Sequence, residues 1–204
     1  MNYHALLFDA DGVLIKNTPL FSERLSEEYG IPIEKMLLFF NGAFMQCGIG
    51  KADLKEELTK VVSHWGWRGT VDELLEFWLT KGTEVDGEME AFIRSLYAQG
   101  VPTYLVTHQE KYRGEHFRTL FEGKIFDRVY YSAALGIAKG EKAFWEKVFA
   151  GVTDDVQRKK GIVPEKHLCL FIDDAAENIK DAAAFGLQTY QYTGDIAALK
   201  EALA

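Results

Sequence analysis

The sequence predicts an α/β fold, in which helices flank a parallel five-stranded sheet and a helical segment follows the first strand. Five short apolar runs have the length of buried strands. From the second run onward, strands alternate with helical patterns, which is typical of a parallel sheet covered on both faces. The first two runs are separated by roughly 90 residues, far more than a simple crossover connection needs.

The five runs are the predicted strands Tyr3–Phe8, Pro102–Val106, Ile125–Tyr131, His167–Ile172 and Leu187–Tyr192. A helix is predicted over Glu88–Gln99, because its apolar residues recur on one helical face and Gly100 follows it. A second helix is predicted over Ala175–Phe185, which ends before Gly186. Together these elements predict a Rossmann-like sheet.

Residues 18–82 contain four helical patterns and no strand pattern. The first begins at Thr18-Pro19, a helix-capping residue followed by proline, and ends at Gly30. The next two cover about Glu34–Phe44 and Asp53–His64. The fourth begins at Thr70, whose spacing to Glu73 fits a capping box. We therefore predict a four-helix domain at 17–85, inserted into a core domain formed by 1–16 and 86–204.

Composition limits the possible partners. The chain has 204 residues, 48% of them hydrophobic, and a formal net charge of −8, which gives no electrostatic basis for binding nucleic acid. An anionic ligand would need a local cation or a helix N-terminus. The distant Cys47 and Cys169 suggest no disulfide, and the sequence shows neither a signal peptide nor a membrane span. We expect a cytoplasmic protein that does not bind membranes.

The most informative motif follows the first strand, where Asp9 and Asp11 precede Gly12. Open α/β sheets bind ligands at the carboxyl ends of their strands. There, one carboxylate can act as a nucleophile or metal ligand while the other transfers protons. The alternative is an ordinary Asp-Gly turn.

Polar residues end or follow other strands as well. Thr107 follows the second strand, Lys139 follows the third, and Asp173 and Asp174 follow the fourth. In a parallel sheet these positions converge on one crevice. Each also has a simpler interpretation: Thr107 and Asp174 fit helix caps, and Lys139 could be an ordinary surface lysine.

The ordered set of Asp9-Ala-Asp11-Gly-Val, Thr107, Lys139 and Asp173-Asp174 resembles the four motifs of the haloacid dehalogenase superfamily. The inserted helices look like that family's helical type 1 cap, and the resemblance covers the whole chain. It implies a phosphatase-like hydrolase that forms a covalent aspartyl phosphate.

The resemblance also implies a role for each residue. Asp9 would attack phosphorus, and Asp11 would protonate the leaving oxygen and then activate water. Lys139 would neutralise charge, and Thr107 would donate a hydrogen bond to a phosphoryl oxygen. Mg²⁺ would be held by the Asp9 carboxylate, the Asp11 carbonyl and one or both of Asp173 and Asp174, with Asp174 expected as the direct ligand.

Two further residues are candidates for substrate binding. His108 stands where the family usually has Asn or Ser, and it could add a hydrogen bond near the phosphate. Lys51 follows a glycine-rich loop that could approach a ligand closely. The aromatic residues Trp65, Trp67, Phe77 and Trp78 are expected to form the core of the cap rather than a substrate platform.

The leading hypothesis is a phosphatase acting on a small phosphorylated metabolite. A phosphomutase would share every core residue, and a phosphonate hydrolase would need a cap lysine that forms a Schiff base, for which Lys35, Lys51, Lys55 and Lys60 are available. A non-catalytic binding protein is also possible on this fold. Asp11 argues against a dehalogenase, because a halide leaving group needs no proton. A homodimer is neither predicted nor excluded.

Overall fold

The computed structural model describes residues 2–16 and 19–203. Its sheet has five parallel strands in the order β3-β2-β1-β4-β5. The strands are β1 Ala5–Phe8, β2 Thr103–Thr107, β3 Arg128–Tyr131, β4 Cys169–Asp173 and β5 Gln188–Gln191. The predicted parallel sheet is confirmed, and all five strands occur where the apolar runs predicted them.

Helices account for most of the remaining chain. The described residues contain α1 Phe21–Tyr29, α2 Glu34–Phe40, α3 Ala43–Gly48, α4 Leu54–Trp65, α5 Val71–Lys81, α6 Gly87–Ala98, α7 Lys111–Phe121, α8 Ser132–Leu135, α9 Lys142–Lys160, α10 Ala176–Phe185 and α11 Ile196–Ala202. The predicted helices at 88–99 and 175–185 correspond to α6 and α10. Within the described ranges, no helix is both long enough and apolar enough to cross a membrane.

Alternating residues of the strands face two separate cores, as the pleat of a strand requires. Leu6 and Phe8 pack on one face of the sheet with apolar side chains of α6, α7 and α11. Ala5 and Leu7 pack on the other face with α9 and α10. Both faces of the sheet are therefore covered, and ligands can approach only at its edges.

The helices α1 to α5 lie between β1 and β2 and have a hydrophobic core of their own. The second predicted helix, 34–44, is divided: α2 ends at Phe40 and α3 begins at Ala43. Gly42 interrupts the helical pattern, because its φ of −127° and ψ of −98° lie outside the helical region. The described part of the insertion thus has five helices rather than the predicted four.

The ends of these helices test the predicted capping residues. Thr18 lies outside the described residues, and α1 begins at Phe21 with the Leu20 N–H donating to the Glu23 carboxylate at 2.6 Å. The capping box at the start of α5 is confirmed: the Glu73 N–H donates to the Thr70 hydroxyl at 3.2 Å, and the Thr70 N–H donates to Glu73 at 2.7 Å.

The chain leaves β1 and returns from α5 along two adjacent segments. The Lys16 N–H donates to the Glu84 carbonyl at 2.9 Å, and the Asp86 N–H donates to the Leu14 carbonyl at 2.8 Å. An ion pair of 3.0 Å joins the Lys16 and Glu84 side chains. The proposed boundaries of the insertion, 17–85, fall at this pair of segments, beside the carboxyl end of β1.

Candidate active site

Three of the predicted site residues lie at the carboxyl ends of neighbouring strands. Asp9 directly follows β1, Thr107 is the last residue of β2, and Asp173 is the last residue of β4. Because β1 lies between β2 and β4, the parallel register brings these three side chains to the same edge of the sheet. The chain order changes direction on the two sides of β1, and α/β sheets bind ligands at such a position.

Lys139 joins two of the carboxylates. Its ammonium group donates to Asp9 Oδ1 at 2.6 Å and to Asp173 Oδ2 at 2.7 Å. Lys139, Asp9 and Asp173 are only 3%, 7% and 0% exposed, so Lys139 is not an ordinary surface lysine. Burial raises the pKa of Asp9 to about 7, although the Lys139 charge opposes this rise.

Asp173 is held on all sides by donors. Besides Lys139, its carboxylate accepts hydrogen bonds from the Ala175 N–H at 2.7 Å and from the Asn178 side-chain amide at 3.0 Å. The residue that caps α10 is Ala175, so the simpler interpretation of Asp174 as the helix cap is wrong. At the start of α10, the Ala175 N–H donates to the Asp173 carboxylate instead.

Asp9, Asp173 and Asp174 form a group that could hold a metal ion. Each offers an oxygen atom, and these three atoms all lie within 4.8 Å of one another. The Asp174 carboxylate lies against Gly12, where an added Cβ would come within 2.1 Å of Oδ2. Hard carboxylate oxygens at this spacing suit Mg²⁺. That Asp174 is the direct ligand, and that the Asp11 carbonyl contributes, both stay predictions.

The Asp11 side chain has different partners. Both of its oxygens accept hydrogen bonds from the Arg113 guanidinium, at 2.7 and 2.6 Å, and Gln109 Nε2 donates to Oδ2 at 2.6 Å. Arg113 also donates to the Gly82 carbonyl at 2.7 Å. The two carboxylates of the first motif are therefore paired with separate cations, Asp9 with Lys139 and Asp11 with Arg113.

Thr107 is buried at the end of β2 and does not cap a helix. The following helix, α7, begins only at Lys111, and the Glu110 carboxylate accepts from the Tyr112 and Arg113 N–H groups. The simpler interpretation of Thr107 as a helix cap is therefore wrong. The Thr107 hydroxyl lies 3.5 Å from Gln109 Nε2, the nitrogen that also donates to the Asp11 carboxylate.

His108 lines a cavity of about 280 Å³ together with Asp11 and Arg113. Its Nε2 approaches the backbone of the insertion so closely that a Cβ on Gly48 would lie 2.9 Å away. Partial burial lowers the pKa of His108, and the charge of Lys139 lowers it further. The neutral form of the His108 imidazole is therefore favoured at the point where it approaches the insertion.

Comparison with known proteins adds to this geometry. No protein-family model matches the chain. A sesquiterpene phosphatase from Aspergillus oryzae is 25% identical over 202 residues, which cover 98% of this chain and 94% of the relative. A solved structure of a predicted haloacid dehalogenase-like hydrolase from Porphyromonas gingivalis superposes with a TM-score of 0.76 at 22% identity, covering 100% of this chain and 98% of that one.

A second solved structure is a haloacid dehalogenase family enzyme from Bacteroides thetaiotaomicron, in complex with magnesium and inorganic phosphate. It superposes with a TM-score of 0.73 at 22% identity and covers 96% of this chain and 98% of its own. The chain has the haloacid dehalogenase-like fold. The resemblance predicted from the sequence is confirmed, and the curated phosphatase supports a hydrolase of the phosphatase type.

The role of the inserted helices α1 to α5 as a cap stays a prediction, and they are called the cap below. The structure does not bring Lys51 to the carboxylates of the candidate active site. Lys51 instead lines a separate cavity of about 530 Å³ with Asp53 and Lys111. Trp65 is buried in the cap core as expected, and Trp78 also lines the cavity beside Asp11. Trp67, Phe77 and Trp78 pack against the same core, so the expected core packing is found for all four aromatic residues.

Sequence reasoning missed three residues that bind the site's carboxylates. Gln109 and Arg113 bind Asp11, and Asn178 binds Asp173. Gln109 and Asn178 are close in sequence to recognised motifs, so their polar side chains were a signal that could have been used. Arg113 follows Glu110 on a helix that the sequence suggested only through its capping pattern.

Proposed function

We propose that this protein is a magnesium-dependent phosphatase that hydrolyses a small phosphorylated metabolite through a covalent aspartyl phosphate on Asp9. The observation that carries the proposal is the pair of hydrogen bonds from Lys139 to Asp9 and Asp173, at 2.6 and 2.7 Å in a buried site. A buried ammonium group between two carboxylates serves to neutralise negative charge, and phosphoryl transfer requires such neutralisation.

In the first step, an Asp9 carboxylate oxygen attacks phosphorus, and the ester P–O bond breaks as the O–P bond to Asp9 forms. Asp11 donates a proton to the departing alcohol oxygen. In the second step, Asp11 accepts a proton from water, which attacks phosphorus, and the bond to Asp9 breaks. The products are the alcohol and inorganic phosphate, and both carboxylates return to their starting state.

The remaining residues orient these groups. Asp173 holds the Lys139 ammonium, and Asn178 together with the Ala175 N–H fixes the Asp173 carboxylate. Asp9, Asp174 and, to a lesser extent, Asp173 would hold Mg²⁺, which when bound supplies positive charge to the phosphoryl oxygens. Thr107 would donate its hydroxyl hydrogen to a phosphoryl oxygen, and His108 would contact the phosphate from the cap side.

The relatives support the choice of a phosphate ester over a halide. The Aspergillus oryzae relative is named as a phosphatase, and the Bacteroides thetaiotaomicron enzyme was solved with magnesium and inorganic phosphate. The Asp11 carboxylate accepts hydrogen bonds from three nitrogens, two of Arg113 and one of Gln109, and a dehalogenase would have no use for it as an acid.

The test is phosphate release from a panel of phosphomonoesters, with and without Mg²⁺. The panel includes p-nitrophenyl phosphate, glucose 6-phosphate, phosphoglycolate, AMP and octyl phosphate. Magnesium-dependent release that is lost in Asp9→Asn and kept in the matched surface variant Asp72→Asn supports the proposal. Transfer of the phosphoryl group to a second hydroxyl, without release, would instead identify a phosphomutase, and no reaction with a folded protein would contradict both.

A further inference from the structure

A third cavity, of about 560 Å³, extends from Asp11 and Arg113 between the core and the cap. Its volume falls within the range of about 300–1,000 Å³ that is typical of sites for small organic ligands. We call it the apolar cleft and define it by the hydrophobic side chains that line it: Leu20, Phe21, Leu37, Phe40, Phe44, Met45 and Trp78.

The apolar cleft adjoins the cavity that His108 lines. The two share Asp11, Arg113, Phe44, Met45 and Trp78 as lining residues. Because Asp11 lines both cavities, a substrate whose phosphate lies beside Asp11 would have this cleft next to the rest of its body. Phe21 and Trp78 stack there with ring centroids 4.0 Å apart, which gives the cleft a rigid aromatic wall.

Several side chains of the cleft expose apolar surface that a folded monomer usually buries. Leu20, Leu37 and Met45 are 68%, 46% and 56% exposed, although all three face the same cleft. Single exposed apolar residues are common, but a contiguous group beside a polar site marks a binding surface. Burial of this surface is most favourable in free energy when the ligand that covers it is itself apolar.

The positively charged side chains that line the cleft favour a ligand that combines an anionic group with an apolar part. Lys16 and Lys81 are paired with Glu84 and Glu28. Arg24 also lines the cleft, and within 2–16 and 19–203 it takes part in no ion pair, while its buried Nε has no hydrogen-bond partner. Its positive charge favours a phosphate ester entering a protein with a net charge of −8.

We propose that the apolar cleft holds the hydrocarbon part of the substrate, so that the enzyme acts on the phosphate ester of an extended apolar alcohol. This inference rests on the proposed phosphatase function. Sugars and nucleotides carry many hydroxyl and amide groups, which lose hydrogen bonds to water when they enter a mainly aliphatic and aromatic wall. An alkyl or polyene chain has no such cost and buries the exposed Leu20, Leu37 and Met45.

The first experiment measures kcat/KM for a series of linear alkyl phosphates from ethyl to decyl, below their micelle concentrations and with Mg²⁺. The value should rise about three- to fourfold for each methylene buried, until the cleft is filled. Octyl phosphate should exceed glucose 6-phosphate and phosphoglycolate. No turnover of any ester would overturn the proposed function and this inference together, whereas turnover independent of chain length would overturn this inference alone.

A matched pair of variants locates the effect. Leu37→Gln should lower the ratio of kcat/KM for octyl over ethyl phosphate by about fivefold, because one wall of the cleft becomes polar. Leu38→Gln changes the neighbouring residue of the same helix, which is 89% exposed and does not line the cleft, and should leave the ratio unchanged. Equal effects of the two substitutions would contradict the assignment.

An apolar surface can also be covered by a second copy of the chain. The mass of the protein in solution tests this alternative. Sedimentation should give a protein whose oligomeric state is the same for wild type and Leu37→Gln. A dimer that Leu37→Gln converts to a monomer would show that the cleft is covered by a partner chain, and would overturn its assignment to substrate.

Discussion

Arg113 and Asp11 form a two-point ion pair, in which both nitrogens of the guanidinium end bind the two carboxylate oxygens at 2.7 and 2.6 Å. Arg113 also binds the carbonyl of Gly82, the residue at which the chain leaves α5 to return to the core. One side chain of the core helix α7 thus connects the proposed proton-transfer group to the returning linker of the cap. Loss of this pair should change the position of Asp11 without removing any reacting atom.

Replacement of Arg113 tests this connection. Arg113→Met should lower kcat for an alkyl phosphate by about ten- to a hundredfold, because its poor leaving group needs a well-placed acid. For p-nitrophenyl phosphate the loss in kcat should be several times smaller, because that leaving group needs little protonation. Steady-state kinetics of both esters measure the difference.

The control is Arg118→Met, which removes an arginine from the same helix. Arg118 pairs with Glu115 and lies outside the cavities around Asp11. It should leave the ratio of the two kcat values at the wild-type level. If Arg113→Met lowers kcat equally for both esters, Arg113 supports the structure in general rather than the orientation of Asp11.

Because it is buried, the charged Asp9 carboxylate proposed to attack phosphorus should lower the stability of the metal-free protein. Its pKa is raised from 3.8 to about 7, mainly by burial, so between these values the folded protein binds a proton that the unfolded chain does not. This contribution to the free energy of unfolding is present at low pH and is lost as pH rises toward 7. Asp9→Asn removes the charge, and should stabilise the metal-free protein at pH 8 by about 1–3 kcal/mol.

Urea unfolding of wild type and Asp9→Asn in EDTA measures this effect. The stability advantage of Asp9→Asn should be small at pH 5 and grow toward pH 8. Added Mg²⁺ should stabilise wild type more than the variant, because the ion compensates the buried charge. A variant that is less stable than wild type at pH 8 in EDTA would contradict the prediction.

Lys139 should be the most important single cation for stability. Lys139→Met leaves Asp9 and Asp173 buried without their shared ammonium group, and should lower the free energy of unfolding by about 3–5 kcal/mol in EDTA. Lys142→Met removes an exposed lysine, which pairs with Glu146 on the surface of α9, and should change stability by no more than about 0.5 kcal/mol. Similar losses in the two variants would contradict the role given to Lys139.

Gly12 should be required for metal binding. Its φ of +76° disfavours any side chain, and a Cβ would lie 2.1 Å from Asp174 Oδ2. Gly12→Ala should therefore displace the Asp174 carboxylate and raise the Mg²⁺ concentration for half-maximal activity by about ten- to a hundredfold. Gly161→Ala introduces the same backbone strain, at φ +70° with no atom within 4 Å, and should leave the Mg²⁺ requirement unchanged.

The parts of the molecule that the sequence predicted are those encoded by local patterns. All strands but the polar β5 are short, largely apolar runs. Asp9, Thr107 and Asp173 immediately follow or end such a run, so a parallel sheet alone suffices to bring them together. Thr107 shows the limit of such patterns, because its spacing to Glu110 fits a capping box although α7 begins only at Lys111. A capping pattern states that a helix is near but not which polar residue caps it.

The parts that could not be predicted depend on packing between distant segments. Arg113 reaches Asp11 across 102 positions of sequence, and Trp78 stacks on Phe21 where the cap core borders the cleft. Neither contact has a local signature, since an arginine on a helix usually faces solvent and a tryptophan usually fills a core. The division of α2 from α3 at Gly42 likewise depends on the backbone conformation that the packed cap imposes on that residue.

Trapping of the covalent intermediate tests the central claim most directly. Asp11→Asn should still accept the phosphoryl group from p-nitrophenyl phosphate, whose leaving group needs no acid, but should hydrolyse the intermediate slowly. After acid quenching, mass spectrometry should find one phosphoryl group on the peptide that contains Asp9, removable by hydroxylamine and absent when Asp9→Asn is added. Release of phosphate by the wild-type enzyme, with no phosphorylated Asp9 in Asp11→Asn at any time point, would contradict the account.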